Sequence, residues 1–216
     1  MPSATLEEYL ETIYKISLSG HVRPTQIAEA LSVSGATVTA TLRRLEAAGL
    51  VSRPEGGVAL TESGQREAIA VVRRHRIAER FLVDVLGLPW DAAHEEACLL
   101  EHVMSPRVLE ALEAFLDNPS VCPHGHPIPA VDGTMAELVG RPLAELSAGD
   151  AGRVARVGED DEEVLAYLGS LGLYPGVRVK VVETAPFDGP LLISVDGQEH
   201  PLSREIAGAV SVEVVS

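Results

Sequence analysis

The chain has 216 residues, of which 46% are hydrophobic and 23% are charged, as is usual for folded globular proteins. No stretch approaches the roughly 20 consecutive apolar residues of a membrane span, which excludes an integral membrane protein. The start, MPSATLEEYLET, lacks the basic and apolar regions of a secretory signal, so we expect none. Two cysteines, Cys98 and Cys122, exclude a disulfide scaffold and favour a cytoplasmic protein.

The formal net charge of -15 is unevenly distributed along the chain. Residues 1–76 carry nine basic and eight acidic side chains, whereas residues 77–216 carry eight and 24. An acidic body repels polyanions, so the composition excludes a protein that coats nucleic acid indiscriminately. Any nucleic-acid surface is therefore expected to be local and close to the N-terminus.

The first half of the chain predicts a series of helices. TLEEYLETIYKISLS has helical spacing of its apolar residues, with Thr5 as N-cap and Glu8 three residues later. Two short helices, TQIAEAL and GATVTATLRRLEAAG, precede two short strands around a Pro-Glu-Gly-Gly turn. A long helical pattern then runs from Glu62 to about Leu86, followed by helices over Asp91–Met104 and Pro106–Leu116.

The second half changes in character. Asn118–Pro129 is rich in proline and glycine and predicts a loop or an extended crossing. Short valine-rich runs from Asp150 onward, with one short helix, are typical of a small antiparallel barrel. The fold class is therefore mainly α with a small all-β domain. The expected division is a domain with helices and a two-stranded ribbon over 1–66, a helical domain over 67–130, a linker over 131–149 and the β domain over 150–216.

Helix, turn, helix and two-stranded ribbon in this order describe a winged helix-turn-helix, whose second helix enters the DNA major groove. The N-terminal turn of that helix offers hydroxyl groups, including Thr41, and small residues that permit close approach. It lacks Arg, Lys, Asn and Gln, so DNA shape and thymine methyl groups are expected to contribute to specificity. The alternative is an ordinary helical pair without a DNA role. The candidate DNA-binding residues are Ser34, Ala36, Thr37, Thr39, Ala40, Arg43, Arg44 and Arg53.

A second set of residues has the chemistry of metal ligands. Within HEEACLLEH, imidazole, thiolate and carboxylate groups repeat at three- and four-residue spacing, which places them on one helix face. The preceding helix and the first helix carry further candidates at the same spacings. The full set is His94, Cys98, Glu101 and His102, then His75 and Glu79, then Glu8 and Glu11.

Each of these residues also has a purely structural interpretation. Glu8 would complete the cap of the first helix, and Cys98 would be a small buried apolar residue. His75 would lie at the surface, and His102 would be a hydrogen-bonded core histidine. Only the whole set, spread over three helices, favours metal binding. A third cluster, Cys122, His124 and His126, lies in CPHGHP, where a structural role is favoured over a zinc site.

At this point the chain resembles the diphtheria toxin repressor family of metal-dependent transcriptional repressors, including its manganese-regulator branch. The matching stretches are TLEEYLETIY, TQIAEALSVSGATVTATLRRLEAAGLV, LTESGQREA, RRHRIAERFL, HEEACLLEHVMS and HGHPIP. They cover most of residues 5–129 in family order. The C-terminal part is similar, more weakly, to the SH3-like domain of the family and to the ferrous-iron transport A module.

The resemblance implies two metal sites in each subunit. The site that controls DNA binding would use Glu8, Cys98, Glu101 and His102, with Glu11 added in the manganese branch. The neighbouring site would use His75, Glu79 and His94. In some members the SH3-like domain completes this second site, for which Asp160 and Glu163 stand in the corresponding region. The alternative for this acidic run is a solvated helix N-terminus favoured by the helix dipole.

The ligand pattern combines two branches of the family. Glu8 stands where iron sensors carry methionine and manganese sensors an acid, while Cys98 matches the cysteine of iron sensors. Carboxylates favour Mn(II) and thiolate favours Fe(II) or later metals, so both ions are retained as candidates, with Mn(II) slightly ahead. Family recognition helices often carry glutamine where Ala40 stands, so no operator sequence is transferred.

These observations predict a metal-activated regulator, not an enzyme, that binds double-stranded DNA as a homodimer. Leu99, Leu100, Val103, Leu109 and Leu112 are expected either at the dimer contact or in the monomer core. Neither a membrane nor an organic ligand is required. The alternatives are a hydrolytic metalloenzyme that uses the same His/Glu/Cys set, and a DNA-binding protein controlled by an organic molecule.

Overall fold

The computed structural model describes residues 2–158 and 161–214, which form two compact units. The first unit contains residues 2–75, 101–104 and 129–134, and the second contains the other described residues. The fold class predicted from the sequence is confirmed, because helices dominate the N-terminal two thirds and a β domain follows. No helix within the described residues has both the length and the apolar character needed to cross a bilayer.

The winged helix-turn-helix lies in the first unit. Two strands pair antiparallel, with Val51 opposite Leu60, and form the wing. Val58 in the wing also bridges to Val22, where its N–H donates to the Val22 carbonyl over 3.0 Å. The elements are α1 (Ala4–Ser17), α2 (Pro24–Ala30), α3 (Gly35–Ala47), β1 (Val51–Ser52), β2 (Ala59–Leu60) and α4 (Glu62–Arg80).

Helix α1 begins earlier than the sequence indicated. Its N-cap is Ser3, whose carbonyl accepts from the N–H groups of Leu6 and Glu7, so Thr5 lies inside the helix. The prediction that Thr5 caps α1 is therefore wrong, and with it the explanation of Glu8 as a capping partner. Tyr9, Leu10 and other buried side chains of α1 instead fix which face of the helix turns inward.

Helices α2 and α3 pack together through Ile27 on one side and Val38 and Leu42 on the other, all fully buried. Ser34 caps α3, since its Oγ accepts from the Thr37 N–H over 3.1 Å. Thr41 is buried in α3, so it does not belong to the exposed face that the sequence suggested. The N-terminal turn of α3 is thus exposed and held by its own cap.

Three further helical segments continue the chain, and their ends differ slightly from those predicted. Helix α4 is extended by a π-helical turn over Phe81–Val85, which accounts for a helical pattern reaching Leu86. The two later helices are α5 (Ala93–Glu101) and α6 (Pro106–Phe115). Helix α5 is shorter than the predicted Asp91–Met104.

The CPHGHP segment forms a tight loop in the second unit. The Cys122 N–H donates to the His126 carbonyl over 2.8 Å, and Gly125 has a φ of +87°. A Cβ at Gly125 would lie 2.1 Å from the carbonyl oxygen of Ala155, so only glycine allows this close approach. The loop is therefore packed directly against the β domain.

The described elements of the β domain are β3 (Arg141–Pro142), a 3-10 turn (Leu143–Glu145), β4 (Ala151–Val157), α7 (Glu162–Ser170), β5 (Arg178–Thr184), β6 (Leu191–Val195), β7 (Gln198–Leu202), α8 (Arg204–Gly208) and β8 (Val210–Val214). Its strands form an antiparallel sheet in the order β3-β8-β4-β5-β6-β7. Leu165 and Leu168, on α7, are fully buried in the core of this domain. Part of the predicted linker belongs to the sheet, since Arg141 pairs with Val212 at its edge.

Candidate DNA-binding surface and metal centres

The face of α3 opposite its buried stripe carries most of the predicted DNA-binding residues. Thr39 is half-buried and its hydroxyl donates to the Gly35 carbonyl over 2.8 Å. Small side chains at the N-terminal turn leave the backbone accessible, while Arg43 and Arg44 follow about two turns later. The exposed members are Ser34, Ala36, Thr37, Ala40, Arg43 and Arg44 on or next to α3, and Arg53 in the wing.

The first unit also contains a buried cluster of metal-type donors. Glu11, His75 and Glu101 are all buried, and their candidate ligand atoms lie within 4.8 Å of one another. The His75 Nδ1 is 2.6 Å from the Glu101 Oε2, and Lys15 Nζ lies 3.5 Å from the Glu11 Oε1. The structure thus groups Glu101 with Glu11 and His75, whereas the resemblance divided His75 and Glu101 between two sites.

The electrostatics of this cluster suit a cation. Burial, the largest cause, raises the pKa of the Glu101 carboxyl above its ordinary value. The hydrogen bond to His75 opposes this change, and the negative charge of Glu11 adds to it. Two buried carboxylates this close repel each other when both are ionised, and burial itself disfavours each charge. A bound divalent cation would offset both the repulsion and the cost of burial.

The first two glutamates of α1 occupy different environments. Glu8 is exposed, whereas Glu7 is only 2% exposed and its Oε2 lies 2.9 Å from the His102 Nδ1. The other ring nitrogen of His102, Nε2, is 3.3 Å from the Glu101 Oε1. The structure therefore brings Glu7, rather than the expected Glu8, to His102. Glu7 was not among the predicted ligands.

A second group of donors surrounds Glu79 in the second unit. The Glu79 Oε1 is 3.4 Å from the His94 Nδ1 and 3.3 Å from the His124 Nδ1. Glu79, Cys122 and His124 are all buried, and their candidate ligand atoms lie within 4.8 Å of one another. Cys98, half-buried, has its Sγ 3.8 Å from the His94 Nε2.

The other candidates from the sequence are His126, Glu163 and Asp160. His126 Nε2–H donates to the Val157 carbonyl over 2.8 Å, so its ring holds the loop to β4. Glu163 is exposed in the first turn of α7, next to the cap residue Asp161. Asp160 lies outside the described residues. Of the trio Cys122, His124 and His126, the first two therefore join Glu79, and His126 anchors the loop.

An apolar surface remains uncovered on α5 and α6. Leu99 is 72% exposed, and Leu100 is also exposed, so neither belongs to the monomer core. Leu109 and Leu112 are half-buried, and in the first unit Val103 is exposed. On α6 an open groove is lined by Phe81, Arg107, Val108, Ala111, Leu112 and Phe115.

The first unit combines a winged helix-turn-helix with converging carboxylates and imidazoles. This combination is typical of metal-responsive DNA-binding proteins. Comparison with known families supports this class. Residues 1–58 match the N-terminal DNA-binding domain of iron-dependent repressors, residues 61–130 their metal-binding and dimerisation domain, and residues 141–214 a FeoA domain.

Whole-chain relatives agree with the family models. The iron-dependent repressor IdeR of Mycobacterium leprae is 41% identical, covering 98% of this chain and 97% of its own. The diphtheria toxin repressor of Corynebacterium diphtheriae is 34% identical, with 97% and 96% covered. A solved manganese-dependent transcriptional repressor in complex with manganese has a TM-score of 0.91 at 36% identity, with 97% of this chain and 100% of that chain covered.

The chain belongs to the iron-dependent repressor family, which includes the diphtheria toxin repressors. The resemblance stated from the sequence motifs is confirmed. Members of this family are metal-dependent transcriptional repressors and not enzymes, so the regulator is selected over the hydrolytic metalloenzyme.

Proposed function

We propose that the protein is a DNA-binding regulator activated by Mn(II) or Fe(II), and that it acts in the cytoplasm as a homodimer on a palindromic operator. The observation that carries this proposal is the position of the Glu11, His75 and Glu101 cluster, which lies in the same compact unit as the exposed face of α3. A ligand at this cluster therefore acts within the unit that contacts DNA.

The packing of the first unit connects the Glu11, His75 and Glu101 cluster to the recognition helix α3. A divalent cation, when bound, neutralises the converging carboxylates. Glu11 then ties α1 to His75 on α4 and to Glu101. Helix α1 packs against α2, and α2 packs against α3. Fixing α1 therefore restricts the orientation of the recognition helix, and two such units in a dimer match half-sites about one helical turn apart.

Two metal sites per subunit fit the donor groups. The first consists of Glu11, His75, Glu101 and His102, and leaves out the exposed Glu8. Its mixture of carboxylate and imidazole groups matches the ligands of Mn(II) and Fe(II). The buried position of Glu11 and Glu101 supports this assignment, because paired buried carboxylates are costly without a cation.

The second site consists of Glu79, His94, Cys122 and His124. The His124 Nε2–H donates to the Trp90 carbonyl over 2.8 Å, which leaves the Nδ1 lone pair facing Glu79. A metal-binding histidine typically donates its other ring N–H to a carbonyl or carboxylate in this way. The site includes the two residues of the CPHGHP loop for which the sequence favoured a structural role.

The choice between Mn(II) and Fe(II) depends on the thiolates. Cys98 beside His94 adds a second soft sulfur to a set that already contains Cys122. Replacing Cys98 with glutamate is therefore expected to shift activation toward Mn(II). Anaerobic titration of DNA binding with each ion measures this ratio, and an unchanged ratio removes Cys98 from the metal chemistry.

Dimerisation is supported by the uncovered apolar side chains of α5 and α6. Residues such as Leu99 and Phe115 bury apolar area only if another surface covers them. The matched family model describes residues 61–130 as a dimerisation domain, which includes both helices. A second copy of this chain is the proposed cover, and a two-fold dimer requires an operator of matching two-fold symmetry.

The proposal is tested by selecting duplexes from a random DNA library with the purified full chain. With Mn(II) present, we expect enrichment of a palindrome, and with a chelator instead of the metal, no enrichment. No organic molecule is added in either arm. Enrichment that is independent of metal, or that requires a cell extract, would contradict metal activation and favour control by an organic ligand.

A further inference from the structure

Glu7 makes two close contacts that no proposed metal site explains. Its Oε2 lies 2.9 Å from the His102 Nδ1 and 2.9 Å from the Arg74 Nη2. Glu7 is nearly fully buried, while its neighbour Glu8 is exposed. Glu7 is therefore held in a specific position beside His102, a candidate ligand. This environment differs from that of a solvent-exposed acid in the first turn of a helix.

Arg74 fixes this position. Its Nε–H donates to the backbone carbonyl of Glu101 over 2.7 Å, while its Nη2 contacts the Glu7 carboxylate. The guanidinium therefore joins Glu7 to the residue immediately before His102. The guanidinium also places a permanent positive charge 2.9 Å from the buried Glu7 Oε2.

The two ring nitrogens of His102 face different partners. Nδ1 faces Glu7, and Nε2 lies 3.3 Å from the Glu101 Oε1, one of the cluster carboxylates. A neutral imidazole has one N–H and one lone pair. Both partners are carboxyl oxygens, but only the 2.9 Å contact to Glu7 lies within the usual N–H···O hydrogen-bond range, whereas the 3.3 Å contact to Glu101 is longer. This geometry selects the form with the proton on Nδ1 and the lone pair on Nε2.

We propose that Glu7 is a positioning residue of the first metal site: it accepts the Nδ1–H of His102 and so presents the Nε2 lone pair to the cluster for metal binding. The inference rests on the proposed function, because it assigns a role within that metal site. Metal-binding histidines are commonly oriented by a carboxylate behind the ring in this manner.

A direct ligand role for Glu7 fits the contacts less well. Its Oε2 already accepts from the His102 Nδ1–H and lies 2.9 Å from the Arg74 Nη2, which belongs to a permanent cation. A divalent cation at the same oxygen would face the repulsion of that guanidinium. Glu7 therefore acts on the metal through His102.

The tautomer is measured by long-range proton–nitrogen NMR of the histidine rings in the metal-free full chain. Alkaline pH keeps the imidazole neutral. The signals of His102 are assigned by their absence in His102→Gln. We expect a protonated Nδ1 and an unprotonated Nε2 in the wild-type protein. In Glu7→Gln, where the amide offers N–H as well as oxygen, we expect a shift toward the Nε2–H form.

Metal affinity is the second readout. Competition of Mn(II) with a chromogenic chelator should show about a 10–100-fold loss in Glu7→Gln, the range typical for outer partners of metal ligands. The matched control is Glu29→Gln, the same change at an exposed acid of α2, which should leave the tautomer and the affinity unchanged.

Two results would overturn the inference. One is a wild-type His102 that carries its proton on Nε2, a result that is independent of how well Glu7→Gln folds. The other is a folded Glu7→Gln that is less stable but keeps the wild-type tautomer and Mn(II) affinity, as a merely structural ion pair with Arg74 would. Failure of the proposed function is distinct, since the wild-type protein would then bind DNA equally well with and without Mn(II).

Discussion

Replacing Glu101 with glutamine is expected to stabilise the metal-free protein while removing its response to metal. Glu101 is buried, and its candidate ligand atom lies within 4.8 Å of those of Glu11 and His75. Glutamine keeps an oxygen to accept from the His75 N–H and removes the negative charge. The variant therefore retains the hydrogen bond and loses the carboxylate repulsion.

The magnitude follows from the distance between the charges. Two like charges at 4.8 Å repel by about 3–4 kcal/mol at an effective dielectric constant of about 20. Lys15, which pairs with Glu11, and His75 offset part of this repulsion. We therefore expect Glu101→Gln to raise the free energy of unfolding of the metal-free protein by about 1–3 kcal/mol at neutral pH.

The effect has a defined pH dependence. Folding raises the pKa of Glu101, so the folded state binds more protons than the unfolded state. The free energy of unfolding of the metal-free wild-type protein then falls as pH rises from the ordinary value of 4.5 through the raised value. In Glu101→Gln this contribution disappears, and the advantage of the variant should grow over the same window.

Urea unfolding followed by circular dichroism, with a chelator or with Mn(II), measures both effects. We expect the variant to have the higher midpoint in chelator and the wild-type protein to gain the larger stabilisation from Mn(II). Glu29→Gln, an exposed acid, serves as the control and should behave like the wild-type protein. A variant that is less stable in chelator, or that keeps the full response to Mn(II), would refute the role assigned to this cluster.

Three further variants test other parts of the protein. Thr37→Glu places a negative charge on the exposed turn of α3 and should weaken DNA binding at least about tenfold, while Mn(II) affinity measured by chelator competition stays unchanged. Gly125→Ala should lower the free energy of unfolding by more than about 1 kcal/mol, because the φ of Gly125 is +87° and a Cβ there would meet the backbone of β4. The control is Gly208→Ala, whose Cβ would lie in open space and which should not lower the free energy of unfolding. Fluorescence of the single tryptophan measures the unfolding of both variants. Leu99→Lys should convert the dimer to monomer in sedimentation without loss of monomer stability, whereas Phe187→Lys, at a fully exposed position in the β domain, should leave the dimer intact.

The fold was largely predictable because its elements carry local signals. Helical spacing and turn residues marked the winged helix-turn-helix and the long α4, and valine-rich runs marked the β domain. Strand β3 was not predicted because it is only two residues long and contains Pro142, which is tolerated at a sheet edge. The start of α1 was misplaced because both Ser3 and Thr5 are acceptable N-caps.

The metal cluster was only partly predictable, because grouping ligands requires contacts between distant parts of the chain. The burial of Glu7 does have a local signal in its spacing. It precedes the buried Leu10 by three residues and Tyr14 by seven, so it borders the inward face of α1, whereas Glu8 points away. The pairing of Glu79 with His124 had no comparable signal. It depends on the position of the CPHGHP loop, which is set by packing against β4.

The central claim is that metal binding controls DNA affinity, and fluorescence anisotropy tests it most directly. The full chain, stripped of metal under reducing and anaerobic conditions, is titrated onto a labelled duplex obtained by the selection described above. We predict that saturating Mn(II) or Fe(II) strengthens DNA binding about 5–150-fold, the range of an allosteric coupling of 1–3 kcal/mol. Equal affinity with the chelator and with either metal would contradict the account.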